Sequence, residues 1–206
     1  MVEVMNRSSP MKRHYRCPRR VLPEYNEFTV STSTHNDEWQ QRLEWTLLAR
    51  AHVLILEDDE AVRASVIRDL HRRYQKRRDY MPSRVTVPER GTDTALMRHI
   101  AASVGLKAQR SRYYHLFQDF EAYCGRQYAA DKRALLLIDD AHHLRLNTMR
   151  VLHSLSTIVV ANDLAVQMVM VGRGEIVKQM QKESWRALES RIGLRMRLPS
   201  RETKAA

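Results

Sequence analysis

The chain has 206 residues, 43% of them apolar, and a formal net charge of +11. That length supports one domain with a substantial core plus an extension or two, and neither a membrane-spanning run nor a secretory leader is present, so a cytoplasmic protein is expected. Cys17 and Cys124 lack the spacing of a disulfide framework or a zinc site and read as reduced thiols, and the adjacent His142 and His143 do not share a helix face as a metal pair would.

Residues 1–33 are rich in Arg, Pro, Ser and Thr without a sustained period, which suits a disordered or loosely docked arm. Order is expected from Thr34, whose hydroxyl with Asp37 forms a possible capping pair ahead of Trp39, Leu43 and Leu47 at helical spacing. Short apolar runs then alternate with helical patterns: "HVLIL", a helix, "RVTV", helices over "TDTALMRHIAASVG" and "YYHLFQDFEAYC", "ALLLI", the helix "LNTMRVLHSL", "LAVQMVMV", helices over "EIVKQM" and "SWRALESR", and finally "LRMRL". Strands alternating with helices predict an α/β domain over residues 34–199, a three-layer parallel sheet with helices on both faces, followed by a tail at 200–206. Ligands of such sheets sit beyond the carboxyl ends of the strands.

The charge is patchy. Residues 1–20 carry six Lys and Arg against one acid, and residues 71–112 carry eleven against three, so the rest of the chain is slightly acidic. Such a patch favours a polyanion, most simply the phosphates of double-stranded DNA, with Arg72, Arg73, Lys76, Arg77, Arg78, Arg110 and Arg112 as the candidate contacts.

Two phosphate chemistries begin with a stretch like "LILEDDEAVRASVIRDL" at 54–70. In a receiver-like signalling domain, a strand ends in paired acids that hold Mg²⁺ beside a phospho-accepting Asp. That Asp would fall near "AASVGLK", which has no carboxylate, and no Lys-Pro pair occurs in the chain. In a P-loop protein, the strand runs into a phosphate-cradling loop and a helix. This reading gains from "RALLLIDDAHHL", where Asp139 and Asp140 tip a buried strand as Walker B acids do.

With "LLLIDDAHHL", "VMVGRGE" and "ALESRIGLRMRLP" following in that order, the chain resembles the AAA+ ATPases that act as transposition helpers, the TniB and TnsC group, and the related ExeA-type ATPases. The likeness runs from Trp39 to Pro199 and implies an AAA+ core, though the helical lid that follows it in the family has no counterpart in "SRETKAA". Laid on that pattern, Glu57, Asp58, Asp59, Glu60, Ala61, Val62, Arg63 and Ala64 occupy the Walker A position. Glu57 and Val62 stand where glycines belong, Arg63 where the Lys belongs and Ala64 where the Mg²⁺-binding hydroxyl belongs. Phosphate cradling needs inward-turned amides and local positive charge, so the Walker A is read as degenerate. The resemblance makes Asp139 the Mg²⁺ ligand, puts Asp140 in the place of the catalytic Glu, Arg191 in that of an Arg reaching a neighbour's nucleotide, and Arg173 near the sensor position. Arg191 reads equally as an ion-pair partner of Glu189. The implied function is a helper-like protein that binds DNA, a transposase or both, as a possible homo-oligomer and without ATP hydrolysis. No cofactor is expected, or ATP and Mg²⁺ if the loop still works, which would make the chain an active ATPase.

Overall fold

The computed structural model describes residues 28–29, 36–107 and 112–198. The predicted capping pair at Thr34, most of the arm and the tail, together with Cys17 and Arg110, lie outside them. In chain order the elements are β1 (Phe28–Thr29), α1 (Asn36–Leu48), β2 (His52–Leu56), α2 (Glu60–Gln75), β3 (Tyr80–Thr86), α3 (Asp93–Ser103), α4 (Tyr113–Ala129), β4 (Arg133–Asp139), α5 (Leu146–Leu155), β5 (Val159–Val160), β6 (Asp163–Leu164), β7 (Val166–Gly172), α6 (Ile176–Met180), α7 (Arg186–Glu189) and β8 (Ile192–Arg197). Among the described residues, no helix is long and apolar enough to cross a membrane.

Six strands form one sheet in the order β1-β8-β2-β7-β4-β3, with every neighbouring pair parallel. Such strands are buried on both faces, which is why β2 and β7 are apolar almost without interruption. Alternate residues feed two cores. Leu54, Leu136 and Met168 pack with Leu96, Phe120 and Leu152 beneath α3, α4 and α5, whereas Val53, Leu135 and Val169 pack with Leu43, Leu47 and Ile67 beneath α1 and α2. Each such side chain, fully withdrawn from water, contributes roughly 1.5–3 kcal/mol of transfer free energy.

The sheet reverses its order at β2, which lies between β7 and β8. A receiver places its first strand between its second and third, so the sheet order corrects that alternative. The reversal opens a crevice at the carboxyl end of β2, where α2 begins.

The structure departs from the sequence expectations in three places. β3 starts at Tyr80, not Arg84, and contains Pro82; the strand is at an edge, where a missing N–H costs no ladder bond. A hairpin, β5 with β6, turns through Ala161 and Asn162, both at positive φ, without the Asn-Gly signal that marks such turns. Phe28–Thr29, inside the stretch read as an arm, pairs with β8.

Candidate functional site at the carboxyl ends of β2, β4 and β7

Between β2 and α2 lie only Glu57, Asp58 and Asp59. Asp59 is the N-cap of α2, its carboxylate accepting from the Val62 amide at 3.1 Å, which satisfies one of the donors a helix start leaves open. Glu57 is buried; its Oε1 accepts from the Asp59 amide at 2.9 Å, and its own amide donates to the Gly172 carbonyl at the end of β7. Asp58 reaches across to β7 and β8, one oxygen accepting from the Gly174 amide at 3.0 Å and the other from Arg197 at 3.1 Å. The Gly174 amide, with Arg197 beside it, holds the Asp58 carboxyl below its usual range. Three backbone amides around the crevice are therefore taken by the chain's own carboxylates.

Arg63 is 2% exposed. From the first turns of α2 its Nη1 donates to the carbonyls of Glu57 (3.2 Å) and Asp58 (2.9 Å), and its Nη2 donates to Asp140 Oδ1 at 3.3 Å. A buried guanidinium needs its charge paired and its donors met, and here the fork engages both Nη groups while Nε is left without a hydrogen-bond partner among the described residues. Arg63 thus ties the start of α2 to the tip of β4. Glu60 and Ala61 are exposed on the first turn of α2, whereas Val62 and Ala64 are half-buried and present no polar side chain.

Asp139 closes β4 opposite Thr86 of β3 and accepts from the Asp140 amide at 2.9 Å. Burial pushes its carboxyl up; the Asp140 amide opposes this, and the Asp140 charge adds to it. Asp140 takes the left-handed conformation, with φ at 53°, and a single 3-10 turn over Ala141–His143 follows. His142 is buried with neither ring nitrogen hydrogen-bonded, its ring 4.1 Å from that of His143; burial lowers its pKa, and the neighbouring His143 lowers it further. Among the described residues, no group of three or more His, Cys, Asp or Glu is placed to hold a metal ion.

The sequence-predicted residues do not all meet here. Glu57 to Arg63, Asp139 and Asp140 do, and Arg173 is exposed just beyond β7. Arg191 precedes β8 at the opposite end of the sheet, where its carbonyl accepts from His52 at the start of β2 and its Nη1 donates to the Ser156 carbonyl at 3.3 Å. Glu189 pairs with Arg195 at 3.2 Å, not with Arg191. Arg197, which sequence reasoning missed, belongs to the site; the alternation of β8 marks it as outward-facing, but no motif marks it as a partner of Asp58.

The candidate DNA contacts divide in two. Arg72, Lys76, Arg78 and Arg112 are exposed. Arg73 is held by Gln40 and by Glu44 at 2.7 Å, and Arg77 by Asp79 through two bonds of 3.0 Å, with Glu44 at 3.5 Å. Cys124 is a buried free thiol whose pKa burial raises to about 12, which leaves it unreactive.

Residues 63–180 match the family model described as "AAA domain", over more than half of the chain, and the chain belongs to that family. Solved structures share the fold. The Aeropyrum pernix ORC1 protein in complex with DNA is similar at 17% identity and a TM-score of 0.59, over 82% of this chain and 46% of that one. Cdc6p from Pyrobaculum aerophilum is similar at 17% identity and 0.60, over 89% and 47%, and the A. pernix ORC2 protein in its ADP form at 13% and 0.61, over 86% and 50%. The chain thus spans about half the length of these proteins. No curated protein matches it.

Proposed function

We propose that the chain is a DNA-binding AAA-domain protein of the transposition-helper type that works without binding or hydrolysing ATP. One observation carries the nucleotide half of this reading: the places where an AAA domain would present amides and a cation to a triphosphate are filled from within. Glu57, Asp58 and Asp59 accept from the Asp59, Gly174 and Val62 amides, and the buried cation Arg63 is turned onto the loop carbonyls and Asp140. A triphosphate would have to displace three carboxylates and then lie among them, in a site where like charge costs several kcal/mol. The residues do not fit the nucleotide, and the loop reads as a Walker A whose chemistry has been replaced by internal hydrogen bonds.

The DNA half rests on charge. Exposed Arg72, Lys76, Arg78 and Arg112 give a polyanion free cations to neutralise, and a structural neighbour, the A. pernix ORC1 protein, is itself described in complex with DNA. A transposase partner and self-assembly follow from the same helper reading. Titration calorimetry with ATP and Mg²⁺ tests the nucleotide claim, and no heat of binding is expected at micromolar concentrations. Tight, Mg²⁺-dependent binding that Asp139→Ala abolishes would replace this reading with that of an active ATPase.

A further inference from the structure

The end of the sheet remote from the β2 loop holds an open cleft, bounded by residues 75–79 at and after the end of α2 and residues 130–132 between α4 and β4. Six cations gather there, Arg50, Lys76, Arg77, Arg78, Lys132 and Arg133, against four acids, Glu44, Asp79, Asp131 and Asp163. The acids do not neutralise them evenly. Asp163 is shared by Arg50 at 2.9 Å and Arg133 at 3.4 Å, so that group, which adjoins Lys132 in the chain, carries one net positive charge. Asp79 is occupied by Arg77, whose guanidinium is also held 5.7 Å above the Tyr80 ring. Lys76 and Arg78 are exposed and Lys132 half-exposed, and among the described residues no carboxylate holds any of the three. Arg72 and Arg73, in the last turn of α2, complement the helix dipole as cations there ordinarily do. Lys76 caps that helix and Lys132 follows the end of α4, so the dipoles favour cations at both, whereas Arg78 lies two residues past the cap of α2 and the dipole does not account for it.

Two chain segments far apart in sequence thus present unpaired cations to one concave surface, next in the chain to an arginine pair that shares a single carboxylate. A cleft of one sign with low-dielectric walls concentrates potential toward a polyanion. Resting on the DNA-binding reading above, we infer that this cleft grips the phosphate backbone of duplex DNA, with Lys76, Arg78 and Lys132 as the phosphate contacts. Arg77 is a positioning residue, its fork locked by Asp79 and Glu44. Contacts of this kind carry no base specificity, so binding tolerates sequence.

The test is fluorescence anisotropy of the whole chain with a labelled mixed-sequence duplex, titrated across salt. The triple variant Lys76→Ala/Arg78→Ala/Lys132→Ala is expected to bind at least about tenfold more weakly near about 50 mM salt, with a log-log salt slope lower by about three. A charge-matched control, Arg98→Ala/Arg150→Ala/Arg186→Ala on α3, α5 and α7, removes exposed cations for which the structure shows no ion pair, and is expected to change affinity by less than about threefold. Equal losses in the two variants would mean general charge and overturn the assignment. A cleft variant that binds like wild type also overturns it, while leaving the DNA-binding reading intact. Wild type that ignores the duplex at low salt overturns both, and retention on polyglutamate in that case would point to an acidic protein surface instead.

Discussion

At the scale of single residues, Arg63 decides how the crevice behaves. It is among the largest fully buried side chains, and its donors are spread over two carbonyls and one carboxylate. Arg63→Ala leaves those acceptors and Asp140 unmatched, and urea unfolding is expected to show a loss of about 3–5 kcal/mol. Arg63→Lys should recover only part of it, since one ammonium does not span the same acceptors. A loss under about 1 kcal/mol for Arg63→Ala would contradict the clamp.

Asp139 and Asp58 titrate in opposite senses. Burial raises Asp139 above its ordinary 3.8, so its charged form destabilises the fold at pH values above its folded pKa, and that penalty disappears as pH falls below 3.8. Asp139→Asn should therefore raise the unfolding midpoint at neutral pH and leave it unchanged near about pH 3. The Gly174 amide lowers Asp58, so its contribution is present above 3.8 and is lost as pH falls through its folded value. Asp58→Asn should lower the midpoint at neutral pH and converge with wild type in acid; the reverse order would contradict the Gly174 bond for Asp58 and the dominance of burial for Asp139.

At the scale of elements, the end of β7 is built around two glycines that respond differently to a side chain. A Cβ on Gly172 would lie 2.9 Å from the backbone nitrogen of His142, which has no room to move, whereas one on Gly174 would meet only the flexible end of Arg197. In thermal unfolding, Gly172→Ala should cost about 1–3 kcal/mol and Gly174→Ala less than about 1 kcal/mol. Equal costs would mean that the turn over Ala141–His143 does not pack on β7 as described.

The same elements show what a sequence discloses. The helix over "LNTMRVLHSL" occupies the predicted residues Leu146–Leu155, and α3 starts at its Thr92 cap, because apolar spacing and capping act within a few residues of each other. The tip position of Asp139 and Asp140 follows from the apolar run before them. The bond from Asp58 to Gly174 and Arg197 spans more than 115 residues, and the start of β3 at Tyr80 depends on its pairing with Arg133. Those contacts are set by which strands lie side by side, and no local pattern encodes them.

At the scale of the whole molecule, the two ends of one sheet are built for different chemistry. The carboxyl end of β2, where AAA domains hold nucleotide, is closed by internal carboxylates and Arg63, while the opposite end gathers unpaired cations around a cleft. If the first is inert and the second grips DNA, the two are uncoupled, because a ligand shifts affinity elsewhere only through its own differential binding. The measurement that tests this most directly is the affinity of the chain for duplex DNA with and without saturating ATP and Mg²⁺, at one fixed salt concentration. The same affinity is expected in both, within about twofold; DNA binding that requires ATP, or tightens tenfold or more with it, would mean that this AAA domain does not work without nucleotide.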